Sequence, residues 1–337
     1  MGTLATSIGT LQSTGSNSMA YIVMALFGAL YLGSAVAAGQ NCSDTTHFAK
    51  QACSSSNDAA KSLATARCVN TGTKAARFAC VTAADSAFNK GEKLCKAQQK
   101  ARQSLCKSLG EAAYKPAFVP ANFVSAAQAA GQPNRYFPLV PGMRQVYRGE
   151  DETVVVEVLD EIKHIGGIEC RTVRDSVSSR IGSEDYILED TFDWFAQDKR
   201  GNVWYCGEIS SNYEYIAADR ARELRDVHGS WKALRDGAQP GIVMFARPKV
   251  GKVYRQEFDL GNAEDVARIV SITKSATATV GACTGNCVMT RDFTPLSPDA
   301  DELKIYAPGF GLIKEIDTES GDVTLELIEM TTPVLPM

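Results

Sequence analysis

DTFDWFAQD at 190–198, KRGN at 199–202 and VWYC at 203–206 form the stretch whose reading decides the fold. Aromatic and β-branched residues fill the two outer runs, and charge, glycine and asparagine separate them. The segment therefore reads as a β-hairpin with its turn at 198–202. Similar runs lie on both sides. TVVVEVL at 153–159 alternates, residues 167–178 continue the pattern, and KHIGG at 163–167 supplies a turn between them. Further strands are expected at 252–258, 266–271, 276–280, 286–293, 302–306, 311–316 and 322–329. Many short strands without helical periodicity predict an antiparallel β domain, a curved sheet or partial barrel, over residues 135–331. PLVPG at 138–142 leading to Tyr147-Arg148 resembles PKVG at 248–251 leading to Tyr254-Arg255, a weak hint of duplication that Pro-Gly turns opening strands explain equally well.

Residues 41–115 read differently. They are rich in Ala, Lys, Gln and Leu, and they predict helices at 44–67, 74–89 and 92–113, separated at 69–73 and at Asn89-Lys90-Gly91. Six cysteines run through them, Cys42, Cys53, Cys68, Cys80, Cys95 and Cys106, with separations of 11, 15, 12, 15 and 11. Separations of 11 and 15 are close to whole numbers of helical turns, so thiols on one helix share a face. The apolar candidates Phe48, Leu63, Phe78, Val81, Phe88, Leu94 and Leu105 make a thin core, and cross-links worth about 2 to 4 kcal/mol each would compensate. Six thiols allow 15 connectivities, and the spacing alone does not choose among them. The fold class is thus α+β in separate domains, a disulfide-stapled small helical bundle followed by the β domain.

Zinc fails on spacing. No CxxC occurs, and His47, His164 and His228 lie far apart, so neither a metal nor a cofactor is expected. The other four cysteines are further disulfide candidates, Cys283 with Cys287 across a local loop and Cys170 with Cys206 between strands. A structural disulfide framework belongs to an oxidising compartment. The amino terminus points the same way: no charge precedes Asp44, and MAYIVMALFGALYLGSAVAA at 19–38 reads as a signal peptide behind an upstream extension, with Met19 a candidate start. Left uncleaved, those twenty residues would be a membrane anchor. The expected location is periplasmic or extracellular.

The net charge of −4 hides a division. Residues 41–115 carry twelve Lys/Arg against five Asp/Glu, while residues 116–337 carry 23 against 34. Between the two domains, PAFVPANFVSAAQAAGQPN at 116–134 is charge-free and Pro/Ala-rich, a linker composition. The basic helical module has two readings: lysines solvating thin helices, or a docking surface for an anionic envelope surface, a protein partner or the acidic domain itself. Nucleic acid is not expected, because stacking aromatics and recognition motifs are missing. Homo-oligomers are one outcome of basic-to-acidic contacts.

Residues 134–329 resemble a group of exported bacterial proteins of unassigned activity. The landmarks are YFPL at 136–139 with Pro141-Gly142, DWFAQD with GNVWY across 193–205, and YAPGFGLIKE at 306–315. The resemblance implies an envelope or extracellular β domain, cupped around a ligand as in carrier or lipocalin-like folds. It leaves the cysteine-rich module outside.

Trp194, Phe195, Trp204 and Tyr205 are the candidate ligand-binding residues. Neighbours along a strand face opposite ways, so one aromatic of each pair can line a cavity while the other meets solvent or a covering element; cross-strand core pairs are the plainer reading. Glu189, Asp190, Asp193 and Glu208 beside them suit either solvent-facing strand positions or a carboxylate pair for glycoside hydrolysis. Asp198 and Asn202 fit a turn better than a calcium loop, since two cations lie between them. The glycines of 306–312 fit a turn or bulge, not a phosphate loop. His164 has no nucleophile motif, G-x-S-x-G is missing, and no catalytic residue is nominated. The expectation is an exported, non-catalytic binding or scaffold protein carrying an apolar ligand. The alternatives are a structural assembly protein joined by basic-module to acidic-domain contacts, and a glycan-acting hydrolase.

Overall fold

Helix α1 (Asn41–Val69) and helix α2 (Lys74–Leu109) open the part of the chain described by the computed structural model, which covers residues 39–181, 184–216 and 221–333. The apolar segment at 19–38, with its expected role as signal or anchor, lies outside the described residues. Thr73 starts α2 by accepting from the Ala76 N–H at 3.1 Å. Three disulfides tie the helices together, Cys42–Cys106, Cys53–Cys95 and Cys68–Cys80, with Cα separations of 5.6, 5.7 and 5.4 Å. The half-sum of each pair of residue numbers is 74, beside the turn. The near-palindromic spacing is therefore the signature of an antiparallel hairpin with rungs.

The three-helix expectation is corrected at Gly91. Helix α2 runs unbroken through it, because the glycine lies against α1 and a Cβ there would meet the Asn57 Oδ1 at 2.3 Å. Asn57 Nδ2 uses that closeness to donate to the Phe88 carbonyl at 2.9 Å and to Glu92 Oε1 at 3.0 Å. Gly91 permits contact; it does not break the helix. The expected apolar core is corrected as well. Phe48, Leu63, Phe78 and Leu94 are all exposed, and only Leu105 of the named candidates is buried. The rungs hold this hairpin more than its packing does.

Residues 116–134 connect the parts and also cover the sheet. A 3₁₀ turn (Pro120–Asn122) and helix α3 (Ala126–Gly131) occupy them, α3 being capped by a Ser125/Gln128 box. Phe118 and Phe123 are buried, edge to face at 5.1 Å.

The β domain is antiparallel throughout. Strands β1 (Arg144–Arg148), β2 (Glu152–Ile165), β3 (Ile168–Ile181), β4 (Glu184–Gln197) and β5 (Val203–Ile216) form a meander. β6 (Ala221–Asp226), β7 (Trp231–Lys232) and β8 (Gln239–Met244) pair with β5. β9 (Val253–Arg255) and β10 (Glu257–Phe258) come next. A second meander follows in β11 (Val266–Thr277), β12 (Ala282–Phe293), β13 (Asp301–Ala307), β14 (Gly311–Asp317) and β15 (Val323–Thr331). β15 pairs with β1, giving the order β10-β8-β5-β4-β3-β2-β1-β15-β14-β13-β12-β11-β9.

The two edges of this sheet, β9 and β10, are successive segments separated only by Gln256. The sheet is thereby nearly closed into a barrel. Gly241 on β8 makes the closure sterically feasible, since a Cβ there would lie 2.3 Å from the Gln256 carbonyl carbon. Cys170–Cys206 links β3 and β5 across the intervening β4, with a Cα separation of 6.7 Å. Cys283–Cys287 closes within β12, where a loop is expected. There Ala276 pairs with Cys283 and Lys274 with Cys287, so the disulfide staples a bulge in the ladder.

The hairpin base docks on the barrel. Arg102 places Nε 2.9 Å from Glu264 Oε2 and Nη2 2.6 Å from Glu264 Oε1, both residues being buried. Gln98 donates to the Leu296 carbonyl and Tyr114 to the Pro240 carbonyl, each at 2.9 Å. The basic module therefore meets the acidic domain within its own chain.

Candidate functional site

The aromatic hairpin divides by strand parity. Phe195 and Tyr205 line the barrel interior with their rings stacked, centroids 4.7 Å apart at 16°. Trp194 and Trp204 pack on the opposite face, in the cluster with Phe118, Phe123, Trp231 and the Cys170–Cys206 bridge. Trp204 Nε1 also donates to Asp198 Oδ2 at 3.0 Å. Asp198 accepts in addition from the N–H groups of Arg200 and Asn202 and from Asn202 Nδ2, so its carboxylate is committed to the turn.

The interior cavity has a volume of about 290 Å³, near the lower limit for small-ligand sites. Leu139, Val154, Val156, Val158, Val173 and Leu312 contribute its apolar side. Asp175, Asp193, Glu257, Asp265, Asp292 and Glu315 contribute carboxyls, and Lys304 is the one cation among the described lining residues. Lys304 Nζ sits 2.9 Å from Glu302 Oε1 and 3.3 Å from Glu315 Oε1. It keeps 25 % of its side-chain surface accessible, surface that faces this cavity.

Of the four acids beside the aromatic hairpin, Asp193 and Glu208 are drawn in beside Tyr205, whereas Asp190 pairs with Arg174 on the other face. Strand parity puts Asp193 on the face of Phe195, and a β-bulge in β5 adds Glu208: Phe195 pairs with Tyr205 while Asp193 pairs with Glu208, which brings two residues three apart onto one face. The same bulge leaves Cys206 outside, where it meets Cys170. The Tyr205 hydroxyl donates to Asp193 Oδ1 and also supports Glu208. Burial, reinforced by Glu208, pushes the Asp193 carboxyl up to about 8 against the pull of Tyr205. Burial likewise pushes Glu208 up to about 7, with Glu189 adding to the effect. Asp175 lies well above the ordinary carboxylate range through burial and then through Asp193, Glu189 and Glu315, and its Oδ1 has no hydrogen-bond partner. Burial also raises Glu257, Asp265, Asp292 and Glu315. Lys304 runs the other way: burial opposes its charge, yet Glu315, Glu302 and Asp292 outweigh that and hold it firmly protonated.

Chemically, this is a chamber in which six carboxyls share the single ammonium of Lys304, and burial with mutual repulsion raises their pKa values, bringing Asp193 to about 8. Most of them escaped the aromatic-centred reading of the sequence, although a signal exists. Asp175 shares strand parity with Val173 and Val177, and Asp193 shares it with Phe195, so each acid stands on an apolar face. The weak internal similarity does not extend to the site, because Tyr147 lines the chamber whereas Tyr254 and Arg255 line the cleft under the hairpin. Tyr306 faces the chamber from β13, which ends at Ala307, and the following glycines turn the chain into β14, as expected. Among the described residues no group of three His, Cys, Asp or Glu is arranged to hold a metal ion, and no helix is long and apolar enough to cross a membrane. All ten cysteines are paired, which suits an oxidising compartment.

Comparison of the chain with protein-family models, curated proteins and solved structures finds no match.

Proposed function

We propose that this is an exported, non-catalytic binding protein whose barrel holds a small ligand with an apolar body and a cationic head. The unpartnered Asp175 Oδ1 in a cavity with one apolar side and an excess of carboxyls carries the reading. An ammonium entering the chamber displaces shared protons, the carboxyls ionise around it, and the valine and leucine side receives the hydrocarbon part. Export is supported by the complete set of disulfides, by the apolar run at 19–38, and by the likeness of the β domain's landmarks to exported bacterial proteins. The assembly alternative is less favoured, because its basic-to-acidic contact is already closed within the chain by Arg102 and Glu264.

Titration calorimetry with octylamine and octanol tests this. Octylamine should bind one to one and more tightly than octanol. Its affinity should rise as the pH passes through about 7 and about 8, where Glu208 and Asp193 would otherwise keep their protons. Asp175→Asn should weaken octylamine by about tenfold or more, the usual cost of losing a charged hydrogen bond. Equal affinity for amine and alcohol, or a flat pH profile, would contradict the reading.

A further inference from the structure

A second cavity lies outside the barrel, between the hairpin base and the edge formed by β8, β9 and β10. Its volume is about 590 Å³, and its wall joins the two parts of the chain. Thr45, Thr46 and Arg102 come from the helices, Tyr114 from the connection, and Ile242, Phe245, Arg255 and Phe258 from the barrel edge. Ligand sites favour such junctions between structural units.

Two guanidinium groups in this wall have N–H groups without acceptors. Arg102 spends Nε and Nη2 on Glu264, but its Nη1 is buried and unpartnered, and the residue is only 6 % exposed. The Arg255 guanidinium carbon lies 4.0 Å from the centre of the Phe258 ring and 5.6 Å from that of Tyr114. Arg255 Nη1 is also buried without a partner, and no carboxylate among the described residues forms an ion pair with it. Burial, with Arg102 adding to it, lowers the Arg255 pKa in spite of Glu264, a sign that its counter-charge is incomplete.

We propose that this cleft binds an organic monocarboxylate, with the carboxylate between Arg102 and Arg255 and the apolar body along Tyr114, Ile242, Phe245 and Phe258. The charge balance selects the head group. Among the buried groups of the wall, two arginines against the single carboxylate of Glu264 leave one positive charge, which matches a monoanion, whereas a phosphate dianion would set its second charge beside Glu264; Lys252, also in the wall, is exposed and screened by solvent. The number of free donors agrees, one unsatisfied Nη1 from each arginine for two carboxylate oxygens. This site shares no lining residue with the barrel chamber.

The test is calorimetric titration of the full chain with octanoate, octanol and inorganic phosphate. Octanoate should bind one to one, octanol about tenfold or more weaker, and phosphate alone more weakly still. Arg255→Gln should lower octanoate affinity by about ten- to a hundredfold while leaving octylamine binding in the barrel unchanged. Leu260 lines the cleft mouth and is 46 % exposed, so Leu260→Glu tests the same charge preference at a position where folding is not at risk. It should weaken octanoate several-fold with an unchanged melting temperature, and it decides the matter if Arg255→Gln does not fold. Equal binding of octanoate and octanol, or wild-type affinity in both variants, overturns the proposal. Phosphate binding as tightly as octanoate overturns the role given to the apolar wall.

Discussion

Asp193 shows how far a single position departs from its sequence reading. Set among charged neighbours on a strand, it suits a solvent-facing acid, yet it is buried beside Phe195 and bonded to Tyr205. Strand parity was sufficient to place it with Phe195. It was not sufficient to place Glu208 opposite, because a bulge depends on the partner strand. A pH prediction follows from its raised carboxyl, ordinarily at 3.8 and held at about 8. Between those values the folded protein keeps a proton that the unfolded chain has released. Stability therefore falls as pH rises from about 4 to about 8 and levels off beyond. Asp193→Asn should flatten thermal melting temperature against pH across that window and be more stable than the parent above about pH 8. An unchanged slope would show that the Asp193 proton is not what the fold retains.

At the scale of elements, the helical hairpin depends on its rungs. Its exposed Phe48, Leu63 and Phe78 contribute little core, so stability should follow the length of chain that each bridge closes. Cys42–Cys106 spans 64 residues and Cys68–Cys80 spans 12. A variant retaining only the first bridge should hold the hairpin more strongly, by about 1.5 kcal/mol, than a variant retaining only the second. Helical circular dichroism during thermal melting reads the difference, and the reverse order would contradict the closure argument. The sequence showed the helical stretch and its shared cysteine faces, divided into three helices instead of two. It misplaced a break at Gly91, because the use of a glycine for close approach depends on Asn57 of the other helix.

For the molecule as a whole, the joint between hairpin and barrel rests on a buried ion pair. Glu264→Gln leaves Arg102 charged and uncompensated, which should cost about 3 to 5 kcal/mol. Amide hydrogen exchange should then quicken at the hairpin base while the rungs stay oxidised; unchanged protection there would show that packing alone holds the joint. By itself the sequence determined the stapled helical part, the antiparallel β part and the oxidising compartment, because cysteine spacing, helix formers and strand alternation are local properties. Only the tertiary structure decided that β9 and β10 close the sheet, that acids gather inside, and that two arginines face one carboxylate under the hairpin. Those arrangements join residues far apart in the chain, and their charges take on meaning only once burial has removed water from between them.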